Sequence, residues 1–320
     1  MKSQEKVTAF RNGEIKRNRG KGNMGMDACT LCPRMCGVNR AAGEKGYCGM
    51  DATIRAARAA LHMWEEPCIS GTQGSGAVFF SGCSLRCIFC QNFEIAEGNC
   101  AKEISGERLS EIFLELQEQG AANINLVTAA HYVPAVIESL KKAKAQGMDL
   151  PVIYNSSGYE RVETVQMLEE VVDVWLPDFK YMDSKLAFAY SRAKDYPEVT
   201  RAAILEMMKA AGTCAYDEDG YIQKGVIVRH LILPGHTKNS IAVLDELYGT
   251  YGDDLTISLM NQYTPLPQVR NIPDLNRRVT KREYEKVLDH ALDLGITQGF
   301  FQEGGTAKES FIPLFDYEGL

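Results

Sequence analysis

The sequence predicts an α/β protein, a run of parallel βα units preceded by a small cysteine-rich module. Three observations predict it. From about residue 77 to residue 294, short apolar runs of strand character alternate with amphipathic helical segments. Units joined in this order build parallel sheet, because each strand needs a helical crossover to reach the next. Seven of the ten cysteines fall into two tight groups, one ahead of the first unit and one directly after its strand. Periodicity alone leaves open whether the sheet stays open or curls into a barrel.

The elements follow in order. Residues 1–28 carry Lys2, Lys6, Arg11, Lys16, Arg17, Arg19 and Lys21 against few acids, and read as a basic, solvated, flexible tail, with contact to RNA or an acidic partner as the alternative. Residues 29–70 form the cysteine-rich module, loop-rich at least as far as residue 50. AVFFSG (77–82) reads as a buried strand, and 105–119 as a helix with Leu109, Ile112, Phe113 and Leu116 on one face. Strand 123–128 precedes helix 134–146, which Gly147 closes. Then come strand 151–155, helix 160–170, strand 171–179 and helical sequence over 184–211. GVIVRHLILPG (225–235) is the longest strand signal, followed by helix 239–250, strand 254–260 and helix 280–294. The βα region spans 71–300, and 301–320 is an irregular C-terminal extension. No internal repeat or low-complexity segment interrupts it.

Composition narrows the function. The 320 residues are 45% hydrophobic and 24% charged, enough chain to bury a sizeable core. The 35 basic and 42 acidic residues leave a net charge of −7, which argues against a chain-wide nucleic-acid or anionic-membrane binder. No apolar run approaches the ~20 residues of a spanning helix, and MKSQEKVTAF has no signal-peptide core. These features point to a cytoplasmic protein. In that reducing compartment, spaced thiols are metal ligands more often than disulfides.

The central group, Cys83, Cys87 and Cys90, follows a strand ending in Gly82. Three thiolates at this spacing hold three corners of a cubane cluster and leave one iron open to an exogenous ligand, whereas structural zinc and ferredoxin-type clusters use four protein ligands. A zinc site borrowing Cys68 or Cys100 is the rival. The first group, Cys29, Cys32, Cys36 and Cys48, supplies four thiolates, enough to saturate a zinc ion or a second [4Fe–4S] cluster. Pro33 suits a tight knuckle, and the spread spacing fits zinc better than an auxiliary cluster. Cys68, Cys100 and Cys214 read as buried or incidental thiols, with a functional role for Cys68 kept open. Asp178 and Lys180, two apart, share one face of their strand, as a ligand site or a buried ion pair.

CSLRCIFCQN resembles the radical SAM superfamily, whose signature is this CxxxCxxC spacing with an aromatic, here Phe89, before the last cysteine. Asn92, EPCISG (66–71), NINLVTAAHY (123–132), NSSGYE (155–160), LPDFKYMD (176–183), RHLILPG (229–235) and MNQYTPL (260–266) extend the resemblance over about residues 29 to 300. They resemble the pyruvate formate-lyase activating enzyme-like branch, the glycyl-radical-enzyme activases. The resemblance implies a partial, TIM-like (β/α)6 barrel with the site at the C-terminal strand ends. It also implies a [4Fe–4S] cluster that chelates S-adenosylmethionine (SAM) and cleaves it, anaerobically, to methionine and a 5′-deoxyadenosyl radical. The implied activity is that of an activating-enzyme-type oxidoreductase. The radical's target is then a glycyl residue of a partner enzyme, and the reductant a flavodoxin- or ferredoxin-like protein. The alternatives are a small-molecule or peptide substrate, or a non-catalytic zinc or iron–sulfur module.

The same resemblance assigns roles by position. Phe89 packs near the adenine, or simply in the core, and Asn92 orients a cluster cysteine or SAM, or caps its loop. Where the activases carry Gly-Gly-Glu, this chain has Val127, Thr128, Ala129, Ala130 and His131, so Thr128 and His131 become candidates for the methionine amino group. Asn155 stands where the activases place an Asp, keeping an oxygen but losing a charge, and with Ser156 it is assigned to the ribose or carboxylate. Asp178 completes a cation or SAM site, Lys180 and Arg229 reach the SAM carboxylate, and Asn261, Gln262 and Tyr263 face ligand at the last strand.

Overall fold

The computed structural model describes residues 25–302 and 313–320, so the basic side chains of the tail and part of the C-terminal extension lie outside the described residues. The chain runs β1 (Arg55–His62), α1 (Pro67–Ser70), β2 (Ser75–Phe80), α2 (Phe93–Ala96), β3 (Lys102–Glu103) and α3 (Gly106–Glu118). It continues with β4 (Ile124–Val127), α4 (Val133–Ala145), β5 (Val152–Ser156), α5 (Val162–Leu168), β6 (Val174–Pro177), α6 (Ser184–Ser191) and α7 (Tyr196–Ala211). The last elements are β7 (Ala215–Tyr216), β8 (Ile222–Leu231), α8 (Thr237–Tyr251), β9 (Thr256–Met260), α9 (Lys281–Asp293) and β10 (Gly299–Phe301).

The sheet order is β10-β9-β8-β6-β5-β4-β2-β1-β3, with β7 beside β8. Every pairing from β2 through β10 on this path is parallel, as the βα alternation requires. β2, β4 and β6 are buried along their whole length, as parallel strands covered on both faces are. Helix α3 shows how local sequence fixes an element. Ser105 caps it, accepting from the Arg108 amide at 3.0 Å, and the expected stripe of Leu109, Ile112, Phe113 and Leu116 is buried.

The sheet extends further than the sequence suggests. Residues 55–62, placed above in the cysteine-rich module, are β1, which pairs antiparallel to β2 and carries a bulge between Ala56 and Arg58. The C-terminal residues are not a loose end either. The Tyr317 amide donates to Ala57 O at 3.0 Å and the Ala59 amide to Glu318 O at 2.9 Å, while Arg58 pairs with Asp316 and Glu318. Helical sequence 184–211 breaks into α6 and α7 at Arg192, which ends α6 in the left-handed conformation at φ 52°. No helix among the described residues is long and apolar enough to cross a membrane.

Candidate active site

One cavity of about 840 Å³ is lined by residues of β1, β2, β4, β5, β8, β9 and β10, by the residues just beyond β6, and by the cysteine loop after β2. Strands from both ends of the sheet reach the same space, so the sheet curls around it. The C-terminal strand ends contribute Thr128, Asn155, Ser156, Asp178, Lys180 and Arg229. Thr128 holds φ 63°, a conformation a β-branched residue rarely adopts, and its amide donates to Asn155 O at 2.9 Å. The turn presents this residue to the cavity.

Cys83, Cys87 and Cys90 all line the cavity. The amides of Leu85 and Arg86 point at Cys83 Sγ from 3.4 and 3.5 Å, and Ser191 Oγ donates to Cys87 Sγ at 3.1 Å. Burial pushes the Cys87 and Cys90 thiols up, and for Cys90 the nearby Cys83 and Cys87 push further in the same direction. Three neighbouring thiols, two of them with ionisation opposed by burial, are the donor set that a cationic iron–sulfur group would stabilise, and the amide and hydroxyl donors suit bound sulfur. The zinc alternative lacks its fourth ligand. Cys68 packs with Cys214 under Ile153, Val174 and Ile227, and Cys100 lies in a separate cluster with Ala57 and Phe79.

Phe89 lines the cavity from within an aromatic group, 6.4, 6.3 and 6.2 Å from the rings of Tyr181, Tyr190 and Tyr263. Asn92 borders the cavity, and Gln91 ties the cysteine loop to Gln262 O at 3.0 Å. Lys180 Nζ meets Asp178 Oδ2 at 2.5 Å. Burial works against the Lys180 ammonium, but the Asp178 carboxylate outweighs it and raises the group above its ordinary range.

Arg229, at the cavity wall, is paired with two carboxylates. Its Nε donates to Glu66 Oε1 at 2.8 Å, and its Nη2 to both Glu65 and Glu66. Glu65 Oε1 also accepts from Asn125 Nδ2 at 3.0 Å and lies 3.5 Å from Asn155 Nδ2. Burial would raise Glu66, but the guanidinium reverses this and holds it below the usual carboxylate value. Glu65 and Glu66 are the site residues that sequence reasoning missed. They sit beyond β1, the strand that was not anticipated, although Glu66 belongs to a segment already noted for resemblance.

Three candidate ligand residues lie elsewhere. His131 is buried away from the cavity, its Nε2 2.7 Å from Ser81 O and its ring 4.2 Å from that of Tyr132. Burial lowers it to about 3, so it is a neutral structural imidazole. Asn261 does not line the cavity, and its amide donates to Gln302 Oε1 at 2.9 Å. Tyr263 is likewise buried, donating to Leu275 O at 2.7 Å, whereas Gln262 borders the cavity.

The first cysteine group packs directly against the second. A methyl group at Gly82 would lie 2.5 Å from Met50 Cγ and 2.8 Å from Cys48 O, so only glycine lets the two loops meet. Gly46 plays a similar part between the thiols, since a Cβ there would lie 3.0 Å from Cys36 Sγ and 3.6 Å from Cys48 Sγ. Burial pushes Cys32 up to about 12 and raises Cys48.

Comparison with known proteins agrees with this geometry. Residues 77–247 match the model of the radical SAM superfamily, and the chain belongs to that family. Its members are SAM-dependent radical enzymes with a [4Fe–4S] cluster, which makes this chain an enzyme with those cofactors. It is 29% identical over 270 residues to the uncharacterized protein MJ0674 of Methanocaldococcus jannaschii, covering 82% of this chain and 74% of that one. Among solved structures, HydG, a maturase of the [FeFe]-hydrogenase, shares the fold with a TM-score of 0.50 at 15% identity, over 71% of this chain and 51% of HydG. A domain of the pyruvate-formate lyase-activating enzyme from Bacteroides vulgatus aligns with a TM-score of 0.38 at 16% identity, over 54% of this chain and 92% of that domain.

Proposed function

We propose that Cys83, Cys87 and Cys90 hold the [4Fe–4S] cluster and that the adjoining cavity takes SAM together with the group from which hydrogen is abstracted. The observation that carries this reading is the shared cavity: three buried or half-buried thiols open onto the same space as polar groups from four parallel strand ends. When bound, cluster and cofactor supply reductive cleavage of SAM to methionine and a 5′-deoxyadenosyl radical. The chain's own residues do the rest. Amides of the loop and the Ser191 hydroxyl donate to sulfur, and the left-handed turn at Thr128 sets main-chain groups at the cavity wall. Asn155, Ser156 and the Asp178–Lys180 pair supply hydrogen bonds and charge for ribose and carboxylate, and Phe89 offers an apolar face for adenine.

The target we assign first is a glycyl residue of a partner enzyme, with a flavodoxin- or ferredoxin-like protein as electron donor. A small-molecule or peptide substrate is the second reading. It is favoured by the charged Glu65–Glu66–Arg229 group inside the cavity, which a side-chain-free glycyl loop would leave unused. The four thiols of the first group hold zinc in this reading, with an auxiliary iron–sulfur cluster as the competing occupant.

Anaerobic reconstitution tests all of this. Reduced protein should give a [4Fe–4S]+ EPR signal that SAM perturbs, and should form 5′-deoxyadenosine; Cys87→Ala should abolish both. Protein that cleaves no SAM would sink the proposal. About four irons with one zinc per chain supports a zinc knuckle, and about eight irons without zinc an auxiliary cluster. A glycyl doublet on incubation with a co-encoded partner enzyme selects the first target, and its absence the second.

A further inference from the structure

Arg34 lies between Cys32 and Cys36 of the first group, yet every hydrogen bond of its guanidinium leaves that group. Nε donates to Ser84 O at 2.9 Å, Nη2 to Ser191 O at 2.8 Å and Leu85 O at 3.5 Å, and Nη1 to Arg192 O at 2.5 Å. Its Cζ lies 4.0 Å from the ring centre of Tyr47 and 5.2 Å from that of Tyr159. Its acceptors belong to two segments only. Ser84 and Leu85 lie inside the loop between Cys83 and Cys87, and Ser191 and Arg192 end α6, where carbonyls have no partner within the helix.

Each segment touches a sulfur one step later. The Leu85 amide points at Cys83 Sγ from 3.4 Å, and Ser191 Oγ donates to Cys87 Sγ at 3.1 Å while pairing with Tyr181 OH at 2.8 Å. A planar fork of fixed donors reaches all four of these carbonyls at once, an arrangement that the three-donor ammonium of a lysine does not reproduce.

From this geometry we infer that Arg34 is a positioning residue for the radical centre, fixing the loop and the end of α6 so that the Ser191 hydroxyl stays on Cys87 Sγ. This rests on the reading that Cys83, Cys87 and Cys90 hold the cluster. Hydrogen bonds to cluster sulfurs stabilise the reduced state, so loosening this one should make the cluster harder to reduce.

The test is a redox titration of full-length, reconstituted protein, followed by EPR, for the wild type, Arg34→Lys, Ser191→Ala and the double variant. At a fixed applied potential, each single variant should show a reduced-to-oxidised ratio lower by about three- to tenfold, and the double variant no more than Ser191→Ala alone. A purely mechanical strut would change thermal stability and leave the potential where it was. An unchanged potential in folded Arg34→Lys overturns the inference. If Arg34→Lys does not fold, Ser191→Ala decides: a lowered ratio supports the inference, and an unchanged one overturns it. Wild-type protein without a SAM-sensitive cluster removes the underlying reading as well, and so separates the two failures.

Discussion

At the scale of single residues, the cavity wall depends on close approaches and paired charges. Gly158 holds φ 73°, and a Cβ there would lie 2.1 Å from Asp178 O. Gly158→Ala should therefore cost about 2–4 kcal/mol in urea unfolding and displace Asp178 from Lys180. Arg229→Met would leave Glu65 and Glu66 buried without their cation, a loss of roughly 3–5 kcal/mol at neutral pH. In the wild type, Glu66 is held low, so its contribution is present above the unfolded value of 4.5 and lost as pH falls. In Arg229→Met the sign reverses, because burial now favours the protonated acid. Chemical denaturation should show the variant's deficit shrinking as pH is lowered towards 5. His230, brought to about 4 by burial, is neutral in the fold with Nδ1 2.6 Å from Phe179 O. Its lowered value means stability is present above 6.5 and falls as pH drops towards 4, by up to roughly 1.4 kcal/mol per pH unit. His230→Gln should flatten that slope.

At the scale of elements, the strand that sequence missed is the one that explains the site. β1 reads RAARAALH, rich in alanine and arginine, with neither the β-branched residues nor the alternation that mark a strand. Its conformation comes from β2 on one side and from Tyr317 and Glu318 on the other, contacts no local window contains. α3 was legible because its cap and its apolar stripe are local, and the cysteine loop because the spacing of its thiols is local. The Glu65–Glu66–Arg229 group joins positions 164 and 163 residues apart, and becomes visible only when β1 is placed. His131 lies away from the cavity for a related reason: it follows β4 at the right distance, but the 3-10 turn over Ala130–Tyr132 points its ring at Ser81. Deleting residues 313–320 uncovers the edge of β1. Hydrogen exchange should then show the Ala59 amide, now without Glu318 O, exchanging far faster, while amides of β5 and β6 keep their protection.

At the scale of the whole molecule, the two cysteine groups form one body. Arg40, almost fully buried, donates to His131 O and Asp51 O, and Arg86 Nη1 reaches Tyr47 O at 3.4 Å. With Gly82 pressed on Met50 and Cys48, these contacts make the first group part of the wall behind the second. Gly82→Ala should separate them, read as faster limited proteolysis between residues 29 and 50 in protein whose α/β core still melts cooperatively. His131 thus serves the site from outside the cavity, by seating Arg40 through its carbonyl.

The contact between Arg34 and Arg192 spans 158 residues, and that between Ser191 and Cys87 spans 104. During synthesis on the ribosome the cysteine-rich segment emerges first, but its seat does not exist until α6 has followed it out. Until then the loop bearing Cys83, Cys87 and Cys90 lacks the serine hydroxyl, and Arg34 lacks its two acceptors at the end of α6. The thiol loop is thus held from one side only while the chain between it and α6 is still being made.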